Sequence, residues 1–123
     1  MDILIHNAST SDFNLKLQNI ITSAVSREEV CFTSDPEALT MALLKYRIGK
    51  PILVVQICSM DGITSLKILQ KLFDDLFLII VTDSADADLL QECRKLYPRL
   101  LVDNEKDFEL IDVVIRKRQN MPI

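Results

Sequence analysis

Glycine is nearly absent from this chain, with Gly49 and Gly62 as its only examples. A protein that cradles phosphates with its backbone needs a glycine-rich loop, so dinucleotide and P-loop nucleotide binding are excluded at once. Cysteine is scarce and scattered: Cys31, Cys58 and Cys93 form no CxxC pair, and His6 is the one histidine that could join them. That pattern excludes a zinc site and a disulfide framework, and it points to reduced thiols in a cytoplasm. No apolar run approaches the roughly 20 residues needed to cross a bilayer. The opening MDILIHNAST also lacks the basic start and apolar stretch of a signal peptide, so no membrane contact is expected. There is no basic excess either. A formal charge of -4 and a pI near 4.9 give no electrostatic footprint for nucleic acid.

What is present is the composition of a folded soluble protein: 49% hydrophobic and 26% charged residues over 123 positions. One domain spanning residues 1–123 is expected, without linker, repeat or low-complexity tract. Five short apolar runs, DILIH, EVCF, ILVVQI, FLIIV and RLLV, are each followed by a longer stretch with apolar residues at helical spacing. Phe13, Leu17, Ile20, Ile21 and Ala24 share one face of the first helix, opposite Asn14, Lys16, Gln18 and Asn19. In the second, Ser34 with Glu37 three residues on reads as the start, and Gly49 as the turn out. Ile63, Leu66, Leu69 and Phe73 mark the third; Leu89, Leu90 and Leu96 the weakly patterned fourth; Phe108, Ile111, Val114 and Ile115 the fifth. Strands as uniformly apolar as ILVVQI and FLIIV belong in the middle of a parallel sheet covered on both sides. Right-handed crossovers then give an α/β three-layer sandwich: a five-stranded parallel sheet of order 2-1-3-4-5 with helices on both faces, the flavodoxin-like arrangement.

Chemistry in such a sheet gathers beyond the carboxyl ends of the strands, where the order reverses. Those ends carry His6, Asn7 and Ala8; Gln56, Ile57 and Cys58; Thr82, Asp83 and Ser84; and Asp103 with Asn104. A strand-end imidazole such as His6 most simply takes a hydrogen-bond partner, and Cys58 most simply packs as an inert thiol. Read for chemistry, Cys58 beside His6 would make a small thiol enzyme. Asp61, Asp83 and Asp103 read either as turn residues or as an acidic rim. Asp86 and Asp88 suit a helix start, and Arg116, Lys117 and Arg118 suit a helix end.

Taken in order, DILIHNAS, PILVVQICSMDG, LIIVTDSAD and NEKDFELIDVVIRKR resemble the receiver domain of bacterial two-component response regulators over essentially the whole chain. The resemblance implies a Mg²⁺-holding acidic pair after the first strand and a phosphoacceptor aspartate after the third. It further implies a hydroxyl after the fourth strand and a lysine after the fifth. Only the hydroxyl, Thr82, is kept: the pair falls on His6 and Asn7, the acceptor on Gln56, the lysine on Asp103 and the switch aromatic on Leu100. The loop from Gln56 to Gly62 is also short and lacks the family's common proline. A carboxamide is a poor nucleophile, and two neutral donors are a poor seat for a hard cation. The expectation is therefore a phosphorylation-independent protein-interaction module, not an enzyme, with no cofactor or metal and with a protein partner in bacterial signal transduction. A receiver phosphorylated at a displaced carboxylate, Asp61 or Asp83, is the alternative. The resemblance also implies an interaction face of Leu90, Tyr97, Leu100 and Phe108, able to support a weak homodimer.

Overall fold

Where a strand is apolar on both sides, each side needs a helical layer, and the chain supplies one after every strand. In the computed structural model, which describes residues 3–7, 12–25, 27–83 and 86–119, the elements run β1 Ile3–His6, α1 Asp12–Ala24, β2 Val30–Thr33, α2 Pro36–Tyr46, β3 Ile52–Gln56, α3 Met60–Phe73, β4 Phe77–Val81, α4 Ala87–Arg94, β5 Leu100–Val102 and α5 Phe108–Gln119. All pairings are parallel, and the order is β2-β1-β3-β4-β5, as the sequence pattern leads one to expect.

The alternation of side chains along each strand divides the interior into two cores. Leu4, Leu53, Val55, Leu78 and Ile80 face α2, α3 and α4, where Leu39, Leu43, Ile63, Leu66, Phe73, Leu89 and Cys93 meet them. Ile3, Ile5, Val54, Ile79 and Val81 face α1 and α5, against Phe13, Leu17, Ile21, Phe108, Ile111 and Ile115. Phe13 and Phe108 lock the second core edge to face, with ring centroids 5.0 Å apart. Outside the cores, Lys67 of α3 and Lys95 each donate to Glu92 of α4 at 2.8 Å, and these cations hold the Glu92 carboxyl down at about 2.

Several local expectations give way to better chemistry. Asp35, not Ser34, caps α2: its Oδ1 accepts from the Ala38 N–H at 2.8 Å, and Pro36 follows in the first helical position, where its missing N–H costs nothing. The left-handed residue that turns the chain out after α2 is Lys50 at φ 47°, while Gly49 stays in a short 3₁₀ turn. Arg116 donates to Asp112 of its own helix and to the Ser23 carbonyl of α1, and Arg118 lies 4.7 Å over the Phe77 ring. The basic run thus has structural partners.

The expected interaction face needs correction. Phe108 belongs to the core, because its ring is the partner of Phe13. Leu90 and Leu100 are half-buried; of the four, only Tyr97 is well exposed, at 81%. It sits at φ 56° in the turn beyond α4. Phe108 therefore drops out of the expected face.

Gly62 lies in the first turn of α3 with no positive φ, and a Cβ added there would meet Ile57 Cγ2 at an ordinary 3.9 Å. Nothing requires glycine at this place. Gly62→Ala is expected to raise unfolding stability by about 0.5–1 kcal/mol in urea denaturation, because the freedom glycine loses on folding is no longer lost.

Candidate functional site

Four polar side chains are buried among the described residues, Asn7, Thr33, Gln56 and Thr82, and all of them stand at the carboxyl ends of strands. The register explains the grouping. His6 is level with Thr33 on one side and Val55 on the other, while Gln56 is level with Val81, which pairs with Val102. One step further, Asn7 comes beside Gln56, and Thr82 comes between Ile57 and Asp103. Backbone hydrogen bonds carry the sheet past the strand ends: Asn7 N–H to the Thr33 carbonyl, Ile57 N–H to Val81 and Thr82 N–H to Val102, each at 2.9 Å. The sheet thus brings His6, Asn7, Gln56, Thr82 and Asp103 to one edge, as the strand ends in the sequence indicate.

What they form is a neutral pocket. His6 Nδ1 and Thr33 Oγ1 are 2.9 Å apart. Burial lowers the His6 pKa below its ordinary 6.5, only partly opposed by the Asp35 carboxylate, so the imidazole is held uncharged. Thr33 is the member that sequence reasoning missed. The signal was available, since a polar residue ending the second strand falls beside the one ending the first. Gln56 is 6% exposed, and among the described residues neither atom of its carboxamide has a hydrogen-bond partner. A cleft of about 260 Å³ opens on the α2 and α3 side, lined by His6, Gln56, Cys58, Ser59, Asp61 and Ser65 among others. The Ser59 side chain makes no capping bond to α3.

The nearby carboxylates face water, Asp61 from the wall of the cleft. Asp61, Asp83 and Asp103 are all exposed. Asn104 donates to Asp103 at 2.9 Å and to Asp107 at 3.0 Å, which makes Asp103 part of a local turn. Among the described residues no three of histidine, cysteine, aspartate and glutamate gather as a metal group, so the three aspartates do not form an acidic rim. The Mg²⁺ that the family resemblance implies does not fit the donors at these strand ends, which are an imidazole and two carboxamides where a hard cation prefers carboxylate oxygen. Cys58 is exposed, contrary to the reading of a packed thiol. Partial burial and the neighbouring Asp83 carboxylate both push its pKa up, favouring thiol over thiolate, and no hydrogen bond joins it to His6 among the described residues.

No protein-family model and no curated protein sequence matches the chain. Solved structures do. A protein described as pilus assembly-related from Burkholderia pseudomallei superposes with a TM-score of 0.70 at 16% identity, over 95% of this chain and 87% of that one. The response regulator domain of Thermotoga maritima CheB gives 0.57 at 18% identity, over 100% and 98%. A response regulator receiver domain from Rhodospirillum rubrum gives 0.60 at 16%, over 98% and 96%. The fold is the receiver fold. At these identities the likeness is one of fold, and the pocket has to be read from its own residues. In the receiver fold, this chain places an uncharged Gln56 at the end of β3.

Two outcomes follow from the pocket. Burying a carboxamide without partners costs about 1–3 kcal/mol, so Gln56→Met is expected to stabilise the fold by an amount of that order in chemical denaturation. A loss of stability would show that bound water serves the amide. His6 gives a pH dependence. With its folded pKa below 6.5, the unfolded chain takes up the proton first, so stability is full above 6.5 and falls as pH drops through 6.5 toward the folded value. His6→Asn should flatten the wild-type decline measured between about pH 7.5 and 5.5.

Proposed function

We propose that this receiver-fold domain acts in bacterial signal transduction as a protein-interaction module that does not depend on phosphorylation, binding a protein partner rather than catalysing a reaction. The observation that supports this reading is the neutrality of the strand-end pocket. Asn7, Thr33, Gln56 and Thr82 are its buried polar members, and every neighbouring aspartate faces water. Aspartyl phosphorylation needs a carboxylate nucleophile and positioned positive charge to offset the oxygens of the transferring group. Gln56 provides no such nucleophile, and the family resemblance sets Asp103 at the position of the lysine that would carry that positive charge.

The absence of a helix long and apolar enough to cross a membrane, among the described residues, is compatible with a cytoplasmic place of action. With no phosphoryl group to toggle the domain, regulation passes to the availability of its partner.

The test is incubation with acetyl phosphate and Mg²⁺, followed by intact-mass analysis. No phosphoryl adduct is expected on the wild type. None is expected on Gln56→Asp either, because one restored carboxylate leaves His6, Asn7 and Asp103 unchanged and the metal without a seat. A hydroxylamine-labile adduct on the wild type would overturn the reading and favour a receiver that uses Asp61 or Asp83. Mg²⁺-dependent labelling of Gln56→Asp would show that other groups hold the metal.

A further inference from the structure

β2 is an outer strand of the sheet and, among the described residues, has a neighbour only in β1. The Asn7 N–H bonds the Thr33 carbonyl, so the main chain of Thr33, and by alternation that of Cys31, faces β1. The N–H and C=O groups of Val30 and Phe32 therefore point away from the sheet. Soluble proteins usually blunt such an edge with lysine, proline or an inward charge. The sequence VCFT contains none of these.

Beside this edge runs an apolar groove of about 700 Å³, lined by Cys31, Phe32, Met41, Leu44, Lys45 and Tyr46 among others. Its α2 wall continues as a stripe of Met41, Leu44 and Ile48, exposed by 69%, 59% and 98%. The three-residue spacing of Met41 and Leu44 keeps them on one side of α2, and Ile48 follows in the 3₁₀ turn that ends it. Phe32 is 47% exposed on the strand. The groove thus joins unpaired backbone to unburied apolar side chains.

The charges on α2 identify what covers it. Glu37 and Lys45 each lie four residues from Met41, one turn toward either end, and both are exposed. Among the described residues neither has a carboxylate–cation partner; Lys45 lies over the Tyr46 ring at 5.2 Å. α2 runs opposite to β2, because the strands it joins are parallel. A twofold axis passing beside Met41 would therefore set β2 antiparallel to a second β2, and α2 antiparallel to a second α2. Glu37 of each copy then meets Lys45 of the other. This is self-complementarity of the kind a twofold interface requires. Asp35 at the upper end and Arg47 with Lys50 at the lower end extend the same polarity. Glu28 and Glu29 also stand at the lower end of β2, so the helices rather than the strands carry the complementarity.

We infer that this chain forms a twofold homodimer through the outer edge of β2, the two sheets continuing into each other and Met41 and Leu44 of each α2 filling the partner's groove. Only two residues of each β2 offer outward backbone groups, so the edge sets register and the apolar stripe supplies most of the attraction.

Sedimentation equilibrium tests the proposal, with circular dichroism to confirm that each variant is folded. The wild type should sediment at the mass of two chains, and Met41→Glu with Leu44→Glu at the mass of one. Glu37→Lys or Lys45→Glu alone should raise the dissociation constant about tenfold, since two symmetry-related pairs are lost together. The two changes combined in one chain should restore it, a recovery that mere damage to α2 would not show. Phe32→Pro should dissociate the dimer; if that variant fails to fold, the Met41 and Leu44 substitutions decide. A monomeric wild type at the limit of its solubility, a dimer that survives Met41→Glu with Leu44→Glu, or charge changes that do not compensate would each overturn the inference.

Discussion

β3 is buried at every position from Ile52 to Gln56, and the rest of the molecule is arranged around keeping it so. A parallel strand with apolar residues on both sides cannot face water on either. It therefore needs parallel neighbours, which require crossovers, and the crossovers are the helices that cover it. Polar groups are pushed out of this middle layer to the ends of the strands. The amino ends are filled by Ile3, Val30 and Ile52, so buried polar chemistry has only the carboxyl ends left.

At those ends a charged pocket and a neutral one differ in kind. Carboxylates held close together repel one another and gain from a cation, so a charged pocket has two states of comparable energy that ligation can exchange. Asn7, Gln56 and a neutral His6 bonded to Thr33 create no such tension. Their cost is one of desolvation instead: among the described residues the buried Gln56 amide has no hydrogen-bond partner. None of these side chains carries a charge that would draw a cation to the strand ends.

The layers and the strand order were legible because they follow from periodicity, which survives any exchange of one apolar residue for another. Phe13, Leu17 and Ile21 on α1, and Phe108, Ile111 and Ile115 on α5, needed only their spacing to be placed in the core. Legibility failed where two residues compete for one role. Ser34 and Asp35 can both cap α2, and the carboxylate of Asp35 takes the Ala38 N–H because Pro36 fixes the first helical position directly after it. Gly49 and Lys50 compete for the turn after α2, and the 3₁₀ turn that precedes it moves the left-handed position onto lysine. The strand ends were found by register alone, but that Gln56 is unpartnered and Cys58 exposed depends on loops whose paths periodicity does not describe. Spacing put Phe108 on the core side of α5 while the family resemblance put it on an exposed face, and its contact with Phe13, nearly a hundred positions away in sequence, decides for the core.

The same constraint that builds the core leaves the edge of the sheet unfinished. β5 ends the sheet on one side and β2 on the other, and beside β2 runs the short α2 with Met41 and Leu44 exposed, followed by the exposed Ile48 of the 3₁₀ turn. A helix that served only the interior would need apolar residues at Leu39, Ala42 and Leu43 and nowhere else. Its second stripe is surplus to the fold, and water meets it at a continuing cost. Burying that stripe against a second protein surface would remove this cost, and the gain from it depends only on apolar area taken out of water.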